Sequence, residues 1–244
     1  MTAFALPLSP ANTSSVIPLA LHTVFWEADT ACAAAIAEQH DVVLEKEAWI
    51  ARMLSTRGCC GFNLVSADRD GDSDQAIGTV LYCPAELAPG AALMPTAPVS
   101  DDAELVTSLF CAYPDSSEGQ RQALLLLAAV ADELTQRGVV AMEMFAFRNL
   151  SGTRRRGQLC TDDTATHSAP ETMSQPLRKE VADALLHPGK IGLLDFQILL
   201  EAGFHIAQDH PIVPRMRLEL PPTQGLLYEA ASTTLLADNE FPIS

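Results

Sequence analysis

The stretch from Glu104 to Phe147 constrains the fold more than any other part of the chain. "ELVTSLFCAYP" is mostly apolar at successive positions, the pattern of a strand buried on both faces. "SEGQRQALLLLAAVADELTQRG" follows as a long helix with an apolar stripe that stops at Gly138. "VVAMEMFAF" reads as the next buried strand. Two buried strands joined by a helix predict a parallel pair with a crossover, and so an α/β protein.

The flanking segments extend that reading. "VIPLALHTVFWEA" (16–28) carries β-branched and aromatic residues and predicts a first strand. "DTACAAAIAEQH" predicts a short helix capped by Asp29 or Thr30. "VVLEKEAWIARMLSTRG" is a better helix, with a stripe of Val43, Leu44, Ile50, Met53 and Leu54, Trp49 near its edge, and Gly58 at its end. "CGFNLVSA" and "AIGTVLYCP" predict a hairpin around an Asp-Gly turn in "DRDGDSDQ". "LRKEVADALL" and "LLDFQILLEAGF" predict helices, and "HIAQDHPIVPRMRLELP" one or two last strands. The expected organisation is a loose arm over 1–15, one domain over 16–220 and a tail over 221–244. A polar, mobile insertion is expected at about 148–176.

Composition excludes several function classes. A net charge of −16 over 244 residues argues against nucleic acid and anionic membrane surfaces as partners. No run of 18 apolar residues predicts a membrane span. The N-terminal segment has no basic region and is interrupted by prolines, which makes a poor signal peptide. Six cysteines without a CxxC pair fit reduced thiols and a cytoplasmic location. The six histidines show no metal spacing, and "DRDGDSD" lacks the glycine and the glutamate of a calcium loop, so no metal is expected. Neither a G-x-S-x-G nor a Walker A pattern is present.

Three segments in order carry a family resemblance: "VFWE" with "LEKEAW" (24–27 and 44–49), "PTAPVSDDAELVTSL" (95–109) and "EAGFHIAQDHPIVPRMRLEL" (201–220). Together with the element order, they resemble the GNAT superfamily of acetyl-CoA-dependent N-acyltransferases, in its actinobacterial-type branch. The resemblance implies a mixed, mostly antiparallel twisted sheet of about six to seven strands flanked by helices and split by a V-shaped gap. It places acetyl-CoA, or another acyl-CoA, in that gap along Phe110, Cys111 and Ala112. The pyrophosphate would lie on the turn formed by Gly119, Gln120, Arg121, Gln122 and Ala123. A helix N-terminus suits a pyrophosphate because its first N–H groups lack partners and carry partial positive charge. The superfamily pattern is Gln/Arg-x-x-Gly-x-Gly/Ala, and either alignment register puts Arg121 on a glycine. The guanidinium either replaces the lost backbone contacts or blocks them. A capping-box pattern, Ser117-x-x-Gln120, competes for the same N–H groups.

The implied chemistry is direct attack of an amine on the thioester, which needs a base for the amine and an acid for the thiolate. The candidates are Glu104 and Tyr113 at the two ends of the central strand and Glu143 on the next. The superfamily's usual tyrosine before the "GF" of the last helix is replaced by Leu199. Trp26 and Glu27 fall where the acceptor pocket is expected, and an aromatic face with a carboxylate suits a small cationic amine. The resemblance also allows a homodimer. Two function readings follow. One is an N-acyltransferase acting on a small amine in a ternary complex. The other is a GNAT-fold protein that has lost catalysis or CoA binding and serves as a ligand-binding or interaction module.

Overall fold

The computed structural model describes residues 3–29, 41–66, 76–148 and 179–227. Along the chain these form β1 (Ala3–Pro7), α1 (Pro18–Leu21), α2 (Val42–Arg57), β2 (Gly61–Ser66), β3 (Gly78–Cys83), β4 (Ala103–Cys111), α3 (Ser117–Gln136), β5 (Ala141–Phe147), α4 (Lys179–Leu185), β6 (Leu194–Asp195), α5 (Phe196–Ala202), β7 (His205–Gln208) and β8 (Arg215–Glu219). The expected helix beyond Asp29, the Asp-Gly turn, residues 149–176 of the insertion, the first two residues of the helix read from 177, and the tail beyond 227 lie outside the described residues.

One sheet runs in the order β1-β2-β3-β4-β5-β8-β7, with β6 beside β5. β4–β5 and β5–β6 pair in parallel, and the other neighbours are antiparallel. The class is therefore α/β, with a mixed, mostly antiparallel sheet flanked by helices. The crossover of β4, α3 and β5 forms where the two-faced strands and the striped helix predict it. Against the six to seven strands expected, there are eight among the described residues, and both β1 and β6 form where no strand was read.

Residues 3–7 of the arm pair with β2 from Ala3↔Ser66 to Pro7↔Phe62, so that part of the arm is an edge strand. Residues 16–28 form no strand. Pro18 starts α1, where its missing N–H is no loss, and the chain turns through the segment. Val16, Ile17, Val24 and Trp26 are buried by packing instead of by strand pairing. Their composition had registered burial, not hydrogen bonding.

Two apolar layers sandwich the sheet. On one face α3 packs Leu126, Leu127 and Val130 with Val80, Val106, Met142 and Met144, joined by Leu199 of α5. On the other, Trp26 and α2's Ile50 and Met53 pack with Leu81, Leu105 and Phe145. The buried face of α2 is rotated from the expected stripe. Lys46 and Trp49 are buried while Leu44 is exposed, because Lys46 Nζ reaches the Glu27 carboxylate at 2.5 Å. Among the described residues, no helix is long and apolar enough to cross a membrane.

Candidate active site

β4 and β5 pair only at their starts, through Ala103↔Ala141, Glu104↔Met142 and Leu105↔Glu143. Beyond Leu105 they part, which opens the V-shaped gap. A bulge sits at the fork. On β3, Leu81 pairs with Ser108 and Tyr82 with Val106, so Thr107 is an extra residue on β4. Its hydroxyl donates to the Leu81 carbonyl at 3.2 Å. Bulges bend a strand and re-aim its edge, often beside a functional site.

The gap is not open. Residues 188–195 pass through it as a strap. The Leu109 N–H donates to the Gly192 carbonyl at 3.0 Å, and β6 takes the place of β4 along the end of β5 through Ala146↔Leu194 and Phe147↔Asp195. Ile191 and Leu193 of the strap are buried in the α2-side layer, and Leu194 packs against the α3-side layer. Gly192 is left-handed at φ 74°, and a Cβ there would lie 2.6 Å from Ser108 Cβ, so this crossing accepts only glycine. A cavity of about 70 Å³ remains, lined by Phe110, Cys111, Gly119, Ala123 and Leu193. Small-molecule sites span roughly 300–1,000 Å³. The Phe110–Ala112 end of β4 thus faces the chain's own atoms: the Ala112 N–H bonds to the Ile77 carbonyl, and burial pushes the Cys111 thiol up to about 12.

The turn where a phosphate was expected is also occupied from within. Ser116, not Ser117, is the N-cap of α3, and its Oγ accepts from the Gly119 N–H at 3.0 Å. The capping box read at Ser117 and Gln120 does not form: Ser116 caps the helix on its own, and Gln120 reaches Glu201 instead. Gly119 has a packing reason of its own, since a Cβ there would meet the Tyr113 carbonyl oxygen at 1.9 Å. Arg121 donates Nε and Nη2 to the Glu118 carboxylate at 3.1 and 2.6 Å. That pair draws the Glu118 carboxyl below its usual range and holds the guanidinium on a neighbouring side chain. Gln120 donates to Glu201, and Gln122, buried with Ala123, donates to Glu118.

The three catalytic candidates do not converge. Glu143 is fully buried. Its Oε2 accepts from Arg215 Nη1 and, at 3.2 Å, from the Ser100 N–H, and its Oε1 lies 3.4 Å from Arg217 Nη1. Glu104 Oε1 takes Arg57 at 2.5 Å while Oε2 is buried without a partner. Burial outweighs Arg57 and raises the Glu104 carboxyl above its ordinary value. Five residues of strand, roughly 16 Å, separate Glu104 from Leu109. Tyr113 is 64% exposed, and Leu199 lies in the core. Glu104 instead lines a separate space of about 520 Å³ with Glu86, Asp101 and Asp102.

Trp26 does not line a pocket. Its indole is buried, stacks on Phe145 at 5.7 Å and donates Nε1 to the Ile191 carbonyl at 2.7 Å. Glu27 does border a space of about 400 Å³, with Trp49, Glu45 and Arg52, but its carboxylate holds Lys46. The sequence reading missed Lys46, Ser108 and Gly192. Between the helices read at 177–186 and 193–204 it assigned residues 187–192 to no element, and Pro188–Ile191 form a 3-10 turn there. Among the described residues, no group of three His, Cys, Asp or Glu could hold a metal.

No family model and no curated protein matches the chain. Solved structures do. The PaiA N-acetyltransferase from Thermoplasma acidophilum in complex with coenzyme A aligns at 10% identity over 90% of this chain and 99% of that one, with a TM-score of 0.45. The aminoglycoside 6'-N-acetyltransferase from Enterococcus faecium aligns at 11% identity over 91% and 99%, with a TM-score of 0.41. The ribosomal-protein-S18-alanine N-acetyltransferase from Escherichia coli aligns at 11% identity over 92% and 97%, with a TM-score of 0.39.

Proposed function

We propose that this chain keeps the GNAT scaffold but does not bind or turn over acyl-CoA in the form described, and that it acts as a ligand-binding or interaction module. The observation that carries this is the strap: residues 188–195 fill the gap between β4 and β5. The Ser116 cap, the Arg121–Glu118 pair and the ion-paired Glu143 point the same way. The reading includes the actinobacterial-type branch, a small amine or cation as ligand, and a cytoplasmic location, supported by Cys59, Cys60, Cys83 and Cys111 all being buried free thiols.

A thermal-shift titration tests it. A protein that binds acetyl-CoA gains about 2.7 kcal/mol at a hundred times its Kd. The expected result at millimolar acetyl-CoA is no shift, and a saturable rise in Tm refutes the proposal. One observation favours the second reading, an N-acyltransferase that moves an acetyl or other acyl group to a small amine by direct attack in a ternary complex. The bulge at Thr107 and the splay beyond Leu105 are retained although the gap holds no more than the strap. That reading requires the strap to leave.

A further inference from the structure

A cavity at the other end of β4 gathers negative charge that the chain leaves partly unanswered. It measures about 520 Å³, within the roughly 300–1,000 Å³ of small-molecule sites. Its lining comes from the chain after β3, the loop into β4 and the turn between α3 and β5, all inside the continuously described span 76–148. It sits at the start of β4, away from the strap, which crosses at Leu109.

Four carboxylates line it, on Glu86, Asp101, Asp102 and Glu104, and among the described residues no lysine or arginine does. Glu104 is the decisive one. It is 8% exposed, and its Oε1 takes Arg57 while its Oε2 is buried with no partner. Buried polar atoms are nearly always paired, so this oxygen marks a missing donor. The terminal torsion of a glutamate is broad, so a small turn presents the oxygen to the cavity. Burial raises the Glu104 carboxyl, Arg57 and Arg137 oppose that, and Glu86 adds to it. A cation in the cavity reverses the balance. The C-terminal end of α3 adds to the pull, since Gly138 just beyond it lines the cavity and helix C-termini carry partial negative charge. Arg137 at that end is held by Glu133 at 2.7 Å.

The pairs already formed show which cation fits. Glu104 takes Arg57, Asp102 takes both Nη atoms of Arg217 at 2.8 and 3.0 Å, and nearby Glu143 takes Arg215. Each is a guanidinium on a carboxylate. Val99, Val139 and Val140 add apolar wall. A guanidinium is planar and weakly hydrated, which suits such a wall, whereas an ammonium holds its water strongly. Among the described residues, no carboxylates converge closely enough to hold a metal ion.

We propose that this cavity binds a guanidinium group, from a free guanidino compound or from an arginine side chain of a partner, with Glu104 and Glu86 as its acceptors. The inference rests on the reading of the chain as a ligand-binding module and names that ligand.

Calorimetric titration of the full chain with two probes of equal charge, Nα-acetylargininamide and Nα-acetyllysinamide, tests it. The expected result is one saturable site that holds the arginine probe about tenfold tighter than the lysine probe. Glu104→Gln and Glu86→Gln should each weaken the arginine probe several-fold. Glu47→Gln, the same charge change on an exposed residue of α2 outside the cavity, should leave it unchanged. Glu86 is exposed, so its variant carries the test if Glu104→Gln fails to fold. No saturation, equal affinity for the lysine probe, or an equal loss in Glu47→Gln overturns the proposal. n-Propylguanidine separates the two sources. Binding as tight as the arginine probe supports a free guanidino compound, and weaker binding supports an arginine side chain with its backbone. Acetyl-CoA is titrated beside them. If neither it nor the arginine probe binds, this inference falls and the non-catalytic reading stands; acetyl-CoA binding without the arginine probe overturns both.

Discussion

Glu143→Ala separates a structural carboxylate from a catalytic one. In the wild-type chain Glu143 is fully buried and receives Arg215, Arg217 and the Ser100 N–H. Arg217 keeps other partners after the change, with Asp102 at 2.8 and 3.0 Å and Glu219 at 2.7 and 3.1 Å. Arg215 does not. It is 8% exposed, and its other contacts are the Thr96 carbonyl and the Ser100 hydroxyl. The penalty therefore falls on a buried guanidinium left without a counter-charge. Breaking a buried pair from one side costs about 3–5 kcal/mol. At ~2–4 °C per kcal/mol for a chain of this size, Tm should drop by roughly 6–20 °C. The double variant Glu143→Leu with Arg215→Met removes both charges and should recover more than half of that loss, since apolar replacement of a whole buried pair is often close to neutral. Calorimetric unfolding of the wild type, Glu143→Leu, Arg215→Met and the double completes the cycle, with Glu143→Ala measured beside it. A drop below ~2 °C for Glu143→Ala, or a double variant no better than the worse single, refutes the assignment of Glu143 to the frame.

Two further outcomes follow from the same contacts. Gly119→Ala places a methyl 1.9 Å from the Tyr113 carbonyl oxygen and should destabilise the chain by about 1–3 kcal/mol in urea unfolding; a neutral result would return Gly119 to a purely ligand-binding role. His210 Nδ1 accepts from the Ile212 and Val213 N–H groups at 3.2 and 3.0 Å, and burial, with Arg148 adding to it and Asp209 opposing, holds its pKa below the ordinary 6.5. A histidine depressed in this way contributes stability fully above 6.5 and loses it as pH falls towards the lowered value. Amide exchange of Ile212 and Val213, corrected for intrinsic rates, should therefore accelerate between pH 7 and pH 5; a flat profile contradicts the accepting role of Nδ1.

Much of the frame was legible in the sequence because its causes are local. The run from Glu104 to Phe147 shows its strands as unbroken apolar stretches and its helix as a stripe, and each pattern reports burial on the faces that the fold does bury. Gly58 and Gly203 ended their helices at φ 83° and 111°, where other residues are strained. The alternation that put Glu143 on the face opposite Met142 and Met144 was also readable.

What the side chains of the site do was not legible, because it depends on partners distant in the chain. The sequence names Glu104, Glu143 and Trp26, but nothing near them names Arg57, Arg215 or an Ile191 carbonyl 165 residues away. β1 escaped notice because an edge strand of "AFALP" has weak alternation and gains its hydrogen bonds from β2. The strap escaped for the same reason. "KIGLLD" has no period of its own, and it becomes a filler of the cleft only because β4 and β5 part at Leu105 and leave Leu109 a donor to satisfy. The sequence by itself determined that two buried strands would pair in parallel across a helix; that they part beyond Leu105 is a property of the folded sheet. Tertiary packing alone decided that the chain would close the gap, since backbone donors in a splayed sheet take the nearest acceptor, and Gly192 supplies it.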